Sequence, residues 1–364
     1  MASDRLSIVQ VITPHRFAGA EHVCAHLAQE LSARGHRVHL VAPPRLQLFQ
    51  EYVASLGVPF IPLKINGKLN QRAPHLLASL AREVRADLFH AHLSTANYHA
   101  GRARKLAKVP LVSHVHAMSS PLWYRAADLV LTCTYGVARH LQAAGLNHAP
   151  IQVVYNGILP EEFSNVRSPE EVRSELHLPA TVPVVGVVAS LTKRKGHAYL
   201  LEALSLLRDK WPDLMCLILG EGPLRRVLEQ RTQLLGLNDR VRFLGFREDR
   251  LDFMQIFDIL VLPSVGVEGF GLSIIEAAMF GVPSVASNLP GVDEAVVNGE
   301  TGVLVPPRDA HALAEAIDRL LSDETERRRL GRHARRRART EFTISSMADG
   351  VEQAYRRMLA TVRL

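Results

Sequence analysis

The chain has 364 residues, of which 47% are hydrophobic and 22% charged, with no long low-complexity run. This length and composition exclude a disordered or fibrous protein and predict two globular domains, each with its own core. The net charge of +7 favours an anionic partner, such as a phosphorylated ligand, a lipid surface or a nucleic acid.

In the first half, short β-rich runs alternate with segments of helical period, which is typical of an α/β fold with mostly parallel strands. Apolar residues between Ala20 and Leu31 recur at helical spacing, and this helix should end at Arg34-Gly35. The predicted strands are Leu6–Thr13, Arg37–Ala42, Val58–Leu63, Asp87–Ala91, Pro110–Val115, Asp128–Cys133 and Ile151–Tyr155.

The alternation weakens from Leu159 to Thr181, a proline-rich segment that we interpret as a linker at a domain boundary. It then restarts, so the sequence predicts two Rossmann-like domains, 1–160 and 161–344, facing each other across a cleft. The helices predicted in the second half are Ala198–Leu207, Leu224–Leu234 and Ile274–Phe280. The strands predicted there are Val184–Ala189, Leu214–Gly220, Val241–Leu244, Ile259–Leu262, Val282–Ala286 and Gly302–Val305.

The tail from Ala310 onward has helical period and is rich in arginine. Its cations form either a solvated helix face or a contact with a membrane surface or another polyanion. Aromatic residues make up only 6% of the chain, too few for base stacking, so no nucleic-acid partner is expected. The apolar side of this predicted helix would be Leu330, Ala334, Ala338 and Phe342, and the arginines are Arg327, Arg328, Arg329, Arg332, Arg335, Arg336, Arg337 and Arg339.

Two further features predict a cytoplasmic location. The first twenty residues lack the pattern of an export signal, and no apolar run reaches the ~18 residues of a membrane span. Cys24, Cys133 and Cys216 lie far apart without a Cys-x-x-Cys pair, as expected for core residues in a reducing compartment.

The sharpest motif is the segment 263–278, where a glycine-rich loop follows a predicted strand and leads into a helix. Such a turn presents backbone N–H groups to an anion. Glu268 and Glu276 are eight residues apart, so their carboxylates can face one ligand and accept hydrogen bonds from vicinal sugar hydroxyls. Alternatively, Glu268 caps the helix and Glu276 pairs with a surface arginine.

Two other loops follow predicted strands. Lys193-Arg194-Lys195-Gly196-His197 places three cations beside a glycine, which can neutralise a diphosphate without a metal ion or can form a solubilising turn. The loop 14–21 contains Gly19 at a helix N-terminus, where a phosphate can approach closely, although a plain turn explains it equally well.

Four histidines form two His-x-His pairs at predicted strand ends: His90, His92, His114 and His116. No carboxylate accompanies them at ligand spacing, so we expect no metal site, a hydrogen-bonding role for at least one of them and core positions for the others. The sequence also lacks Gly-x-Gly-x-x-Gly after a strand, a Walker loop, His-Glu-x-x-His and Asp-x-Asp. Nicotinamide redox, NTPase and zincin chemistry are therefore not expected, and we predict no cofactor.

Together these motifs resemble the retaining GT-B glycosyltransferases of family four over nearly the whole chain. The Glu-x7-Glu pair Glu268 and Glu276, with its Gly-Phe-Gly core, is the most specific element. The other motifs that carry the resemblance are Gly19-Ala20-Glu21, His116, Val154-Tyr155-Asn156-Gly157-Ile158, Lys193-Arg194-Lys195-Gly196-His197, Gly220-Glu221-Gly222-Pro223 and Phe243-Leu244-Gly245.

The resemblance implies a role for each of these positions. Glu276 would hold the ribose of a nucleotide-sugar, and Lys195 and Arg194 would stabilise the leaving diphosphate. Glu268 would contact the transferred sugar and the diphosphate, together with the amides of Phe270, Gly271 and Leu272. Gly19 would approach the diphosphate from the amino-terminal domain, His116 would lie near the anomeric centre, and the backbone from Phe243 to Phe246 would frame the base.

One position departs from the family pattern, because Ser190 stands where an arginine is common. We expect Arg194 to supply the missing cation. The resemblance also implies that the final helix, 345–364, crosses back to the amino-terminal domain, which would bind the acceptor.

The predicted function is retaining, metal-independent transfer of a hexosyl or N-acetylhexosaminyl group from a UDP- or GDP-sugar to a saccharide or lipid-linked acceptor. The expected setting is bacterial lipopolysaccharide or envelope polysaccharide synthesis in the cytoplasm, with peripheral contact to the anionic inner face of the membrane. Two alternatives stay open: a sugar-nucleotide epimerase, or a catalytically silent subunit that binds sugar nucleotides.

Overall fold

The computed structural model describes residues 5–14 and 18–362. The chain divides into two compact units, the first comprising Met1–Ile158 and Phe342–Leu364 and the second Leu159–Glu341. Each unit is built on a parallel sheet with helices on it.

In the described part of the first unit, seven parallel strands form a sheet in the order β3-β2-β1-β4-β5-β6-β7. The central strands are fully buried, which explains why most of their residues are apolar, although Gln10 of β1 and His114 of β5 are buried polar residues. The strands are β1 (Ser7–Ile12), β2 (Arg37–Ala42), β3 (Phe60–Pro62), β4 (Leu88–His92), β5 (Leu111–Val115), β6 (Leu129–Thr132) and β7 (Ile151–Val153). The helices between them are α1 (Gly19–Ala33), α2 (Gln47–Ser55), α3 (Ala73–Glu83), α4 (Ser94–Ala107) and α5 (Tyr135–Ala143), with a 3-10 turn at Pro121–Tyr124.

The described second unit contains a six-stranded parallel sheet in the order β10-β9-β8-β11-β12-β13. Its strands are β8 (Val184–Val188), β9 (Met215–Leu219), β10 (Val241–Gly245), β11 (Ile259–Leu262), β12 (Ser284–Ser287) and β13 (Gly302–Val305). Its helices are α6 (Pro169–Glu175), α7 (His197–Leu207), α8 (Arg225–Leu234), α9 (Arg250–Met254), α10 (Leu272–Met279), α11 (Val292–Ala295), α12 (Ala310–Ser322) and α13 (Glu324–Glu341). Two 3-10 turns occur at Pro160–Ser164 and Lys193–Lys195.

The last helix, α14 (Ile344–Val362), belongs to the first unit. Arg34, at the end of α1, forms an ion pair with Asp349 at 2.6 Å, and the buried Tyr355 hydroxyl lies 2.6 Å from Nδ1 of His90 on β4. These contacts fix α14 on the sheet of the first unit, where the family resemblance placed it.

The segment 159–181, interpreted from sequence as a linker at a domain boundary, begins at the boundary between the units but belongs to the second unit. It carries α6, which begins with a capping box at Ser168, and it packs within the second unit. Nε of Arg167 lies 2.6 Å from Oδ2 of Asp252, and the ring of Phe163 contacts that of Phe280. The chain passes between the units at 158/159 and 341/342, instead of the predicted 160/161 and 344/345.

Candidate functional site

The candidate site of the second unit lies where the strand order of its sheet reverses. β8 pairs with β9 on one side and with β11 on the other. Because parallel strands end at the same sheet edge, the loops that follow β8 and β11 leave side by side, and such switch points are where open α/β sheets bind ligands. These two loops contain the cationic turn Lys193–Lys195 and the glycine-rich segment before α10.

Glycine allows the two loops to touch. Gly196 ends the cationic turn with a φ of +67°, and a Cβ atom there would lie 1.8 Å from the carbonyl oxygen of Pro263. The amide of Val265 donates to the carbonyl oxygen of Arg194 at 2.8 Å. The turn is therefore held against the loop after β11, and a side chain at position 196 would separate them.

Glu268 is the centre of this site. Its carboxylate oxygen Oε1 lies 2.7 Å from Nζ of Lys195 and 2.7 Å from Nη1 of Arg194, and accepts a hydrogen bond from the Ser264 hydroxyl at 2.6 Å. Glu268 is only 4% exposed. The structure thus brings together Glu268, Lys195 and Arg194, which the sequence analysis had selected. It adds Ser264, which the sequence analysis missed although its position just after β11 indicated a site residue.

The electrostatics keep Glu268 ionised. Burial by itself raises the pKa of Glu268, but the charges of Lys195 and Arg194, with hydrogen bonds from Lys195 and Ser264, outweigh burial and lower it below 4.5. Glu268 is therefore a carboxylate at neutral pH, held by two cations. It does not cap α10, because the N-cap position is Gly271 and has no side-chain cap among the described residues.

The start of α10 offers backbone groups beside this cluster of charges. Gly271 adopts a φ of +84°, Phe270 is buried, and Leu272 begins the helix. The first N–H groups of a helix have no intrahelical acceptor and favour an anion. The arrangement of Lys195, Arg194 and this helix start can therefore bind a phosphate-containing ligand.

Glu276 lies on α10 and pairs with an arginine that the sequence did not single out. Nη2 of Arg250, the first residue of α9, lies 2.6 Å from Oε1 of Glu276. Glu276 is buried, so this pair fixes its side chain. The alternative that Glu276 pairs with an arginine thus agrees with the structure, although Arg250 is itself largely buried.

The aromatic residues proposed near the base lie at the end of β10, an edge strand of the same sheet. Phe243 is half-buried against the core of the unit, whereas Phe246 is 53% exposed. Gly245, with a φ of +75°, lies between them where the register of β10 and β9 shifts, and a Cβ there would lie 2.9 Å from Oε1 of Glu221. The ring of Phe246 is therefore accessible at this edge of the sheet.

In the first unit, Gly19 begins α1 directly after the loop that follows β1. His15, Arg16 and Phe17 of that loop lie outside the described residues. The backbone amide of Ala18 donates to the carboxylate of Glu21 at 3.1 Å, which fixes the helix start. β1 pairs with β2 and β4, so Gly19 too follows a strand at which the strand order reverses.

The histidines form a continuous ladder on the sheet of the first unit. Nε2 of His90 lies 3.2 Å from Nδ1 of His114, and Nδ1 of His92 lies 2.8 Å from Nε2 of His116. Nδ1 of His116 lies 3.1 Å from Oδ1 of Asn156. The register of β4 and β5 places His92 directly beside His114, which explains the cluster.

Burial keeps these imidazoles neutral. It lowers the pKa of His90 to about 3 and that of His116 to about 4, and it lowers the pKa values of His92 and His114 well below 6.5. Since the oxygen of Asn156 accepts a hydrogen bond, His116 carries its proton on Nδ1 and accepts on Nε2 from His92. His116 is thus oriented from both ring nitrogens.

Three of these histidines are the metal-ligand candidates of the described chain. One ring nitrogen from each of His90, His92 and His114 lies within 4.8 Å of the others, and Nε2 of His92 and of His114 has no hydrogen-bond partner among the described residues. Both nitrogens of His90, however, already contact Tyr355 and His114. A hydrogen-bonded ladder accounts for the geometry of the cluster better than a preformed metal site.

Comparison with known proteins gives consistent matches for both units. The family profile of Glycosyltransferase Family 4 matches residues 17–162, and that of Glycosyl transferases group 1 matches residues 168–337. Within the described chain, no helix combines the length and the apolar character needed to cross a membrane.

Three relatives with named activities match much of the chain. The chain is 29% identical over 295 residues to D-inositol 3-phosphate glycosyltransferase from Corynebacterium urealyticum, covering 78% of this chain and 64% of that protein. It is 29% identical over 350 residues to phosphatidyl-myo-inositol mannosyltransferase from Mycobacterium leprae, covering 88% and 89%. It is 32% identical over 296 residues to glycogen synthase from Mycobacterium tuberculosis, covering 75% and 69%. The match thus spans just under two thirds of the first relative and more of the other two.

Two solved structures share the fold. A glycosyltransferase from Rickettsia africae superposes with a TM-score of 0.88 at 22% identity, covering 98% of this chain and 99% of that one. HepE from Anabaena, in complex with UDP and glucose, superposes with a TM-score of 0.85 at 23% identity, covering 97% and 100%.

Proposed function

Because the chain belongs to the GT-B glycosyltransferases of family 4, we propose that it moves a hexosyl or N-acetylhexosaminyl group from a UDP- or GDP-sugar to a saccharide or lipid-linked acceptor, with retention of configuration. The observation that carries the proposal is the convergence of Lys195 and Arg194 on the buried Glu268 at the β8/β11 switch point. This is a cationic site for a diphosphate, with a carboxylate beside it.

The chemistry of transfer explains why those charges are needed. Breaking the anomeric C–O bond develops negative charge on the leaving diphosphate and positive charge on the sugar. Lys195 and Arg194 stabilise the negative charge on the diphosphate, and because they are already oriented no solvent has to reorganise. The carboxylate of Glu268 stabilises the positive charge on the sugar. Two cations and a helix start supply this stabilisation without a divalent metal ion.

Glu268 has a second role in this proposal, which is to position the cations. Its oxygen Oε1 contacts both of them. A diphosphate that enters the site finds both cations already held in place, so little side-chain entropy is lost on binding. Because this carboxylate forms ion pairs with both cations, we propose that it acts electrostatically and does not attack the sugar as a nucleophile.

The nucleoside part of the donor is assigned to the neighbouring elements. We assign the ribose hydroxyls to Glu276, which Arg250 holds by a 2.6 Å ion pair, and the base to the exposed end of β10 at Phe246. For the first unit we keep the roles of Gly19 toward the diphosphate and of His116 toward the transferred sugar. His116 suits this role because its partners hold one tautomer.

The proposal also includes the kind of acceptor and the cellular setting. Among the relatives, one is named for an inositol phosphate acceptor, one for a phosphatidylinositol acceptor and one for glycogen synthesis, so saccharide and lipid-linked acceptors both occur. A lipopolysaccharide core transferase from Rhizobium meliloti also matches, which supports synthesis of envelope polysaccharide. Three buried cysteines fit a reducing compartment such as the cytoplasm.

The test is nucleotide release from a panel of UDP-, GDP- and ADP-sugars, measured with and without acceptor saccharides and in the presence of EDTA. The proposal predicts release from one donor that rises strongly with an acceptor and persists in EDTA. Conversion of the donor sugar without any acceptor would identify an epimerase. Tight donor binding with no turnover on any acceptor would identify a silent binding subunit.

A further inference from the structure

The second unit ends in helix α13, whose arginines fall into two groups with different surroundings. Three of them have partners within the unit: Arg329 pairs with Glu326 at 2.7 Å, and Arg337 pairs with Glu341 at 3.0 Å. Arg327 donates to the carbonyl oxygen of Leu320 at 2.8 Å. These three side chains serve the packing of the unit.

The other five arginines lie on one face of the helix. Their spacing of four, three, one and three residues places them within roughly 100° of the helix circumference and over about 16 Å of its length. Acidic residues are scarce on this face, where Glu324 pairs with the first arginine at 2.5 Å; in the described chain the other four contact no carboxylate. This face, here called the arginine stripe, consists of Arg328, Arg332, Arg335, Arg336 and Arg339.

The helix that carries the arginine stripe packs tightly against the rest of the second unit. On the inner side of α13, Leu330, Ala334 and Ala338 are buried. A Cβ atom at Gly331 would lie 1.9 Å from the carbonyl oxygen of Gly281, so the helix backbone approaches the turn after α10 as closely as glycine allows. Helix rotation is therefore blocked, and the four unpaired arginines all stay exposed.

We propose that the arginine stripe docks the protein on an anionic phospholipid surface. A guanidinium group forms two parallel hydrogen bonds with a phosphate, and a straight row of five can meet the headgroups of a flat bilayer along its whole length. A lipid is favoured over a nucleic acid because no phenylalanine, tyrosine or tryptophan lies between the arginines to stack on bases. This choice rests on the proposed function, in which the acceptor can be lipid-linked.

Each arginine near an anionic membrane raises the partition coefficient by roughly fivefold, and the effect weakens as salt screens it. Neutralising two stripe residues should therefore reduce binding roughly 25-fold at low salt. The matched control removes the same charge elsewhere, at Arg226 and Arg308, two exposed arginines of the same unit that lie off the stripe.

The experiment is co-sedimentation of the full chain with vesicles of phosphatidylcholine alone or mixed equally with phosphatidylglycerol. The expected result is salt-sensitive binding to the mixed vesicles only, reduced roughly 25-fold in Arg332→Gln/Arg336→Gln and less than about twofold in Arg226→Gln/Arg308→Gln. Unchanged melting temperatures would show that all variants are folded.

Three results would overturn the proposal: no binding of the unaltered chain to the mixed vesicles, equal losses in both double variants, or tighter stripe-dependent binding to a DNA duplex than to vesicles. Transfer to a water-soluble acceptor serves as the separate readout. If transfer occurs without vesicle binding, only the docking proposal fails. If vesicles bind through the stripe but no donor is turned over, only the proposed function fails.

Discussion

Replacing Glu268 with glutamine tests the electrostatics of the site most sharply. The substitution keeps the size of the side chain and an acceptor for Ser264, but it leaves Lys195 and Arg194 facing each other without the charge that both contact at 2.7 Å. Removing one partner from a buried ion pair costs about 3–5 kcal/mol. Arg194 is 38% exposed and partly screened by solvent, so we expect the lower end, about 3 kcal/mol.

For a unit of this size, each kcal/mol lowers the melting temperature by about 2–4 °C, so Glu268→Gln should lower it by roughly 6–12 °C. The control is Glu229→Gln, which breaks the 2.9 Å pair with Arg225 at a glutamate that is 43% exposed. Exposed pairs contribute about 0–1 kcal/mol, so the control should lose no more than a few degrees. Scanning calorimetry of both variants measures the difference.

The stability difference between the unaltered chain and Glu268→Gln should depend on pH in one direction. Because the pKa of Glu268 is lowered in the folded chain, its contribution to stability is complete above its ordinary value of 4.5 and disappears as the pH falls through the folded value. The difference between the unaltered chain and Glu268→Gln should therefore be constant near neutral pH and shrink below about 4.5. Equal melting temperatures for Glu268→Gln and the unaltered chain at pH 7 would refute the reasoning.

Three further predictions concern other parts of the chain. The first unit should lose stability on acidification from pH 6.5 toward 4, because burial lowers the pKa of His90 to about 3 and of His116 to about 4 and the unfolded chain then binds more protons. The slope is about 1.4 kcal/mol per pH unit for each histidine, and a flat stability in urea titrations would contradict it. Gly196→Ala should reduce the rate of transfer at least tenfold, because the new Cβ would collide with the carbonyl oxygen of Pro263. Gly299→Ala is the control, since it has a φ of +75° but open space around it, and it should leave the rate unchanged. Equal effects would show that the positive φ matters and the close contact does not. Arg250→Lys should raise the KM for the donor roughly tenfold with little change in kcat, since it loosens the carboxylate on α10 that is assigned to the ribose, and a loss in kcat alone would contradict that role.

The order of the elements could be predicted from sequence because the buried parallel strands are mostly apolar segments between turn residues. The bounds of Arg37–Ala42, Ile259–Leu262 and Gly302–Val305 agree with the structure. Val58–Leu63 shortens to Phe60–Pro62, since this edge strand has a partner on one side only and ends at a proline. The proline-rich segment 159–181 is helical in part because Pro160 and Pro169 occupy first helical positions, which tolerate proline.

The meeting of the cationic turn with Glu268 could be anticipated, because both loops follow strands and such loops share one sheet edge. The partner of Glu276 could not, since Arg250 reaches it only through the packing of α9 against α10. Likewise, nothing in the local pattern links Tyr355 to His90, which lie 265 residues apart in the chain. Contacts between distant segments depend on tertiary packing, which the spacing of residues does not encode.

The central claim is that Lys195, held by Glu268, binds the diphosphate of a sugar nucleotide without a divalent metal ion. Isothermal titration of UDP and GDP in the presence of EDTA tests it directly, with Lys195→Met compared with Lys193→Met, its exposed neighbour on the same turn. The account predicts binding of one nucleotide in EDTA, weakened at least tenfold by Lys195→Met and unchanged by Lys193→Met. Binding that requires added Mg²⁺, or equal losses in both variants, would contradict it.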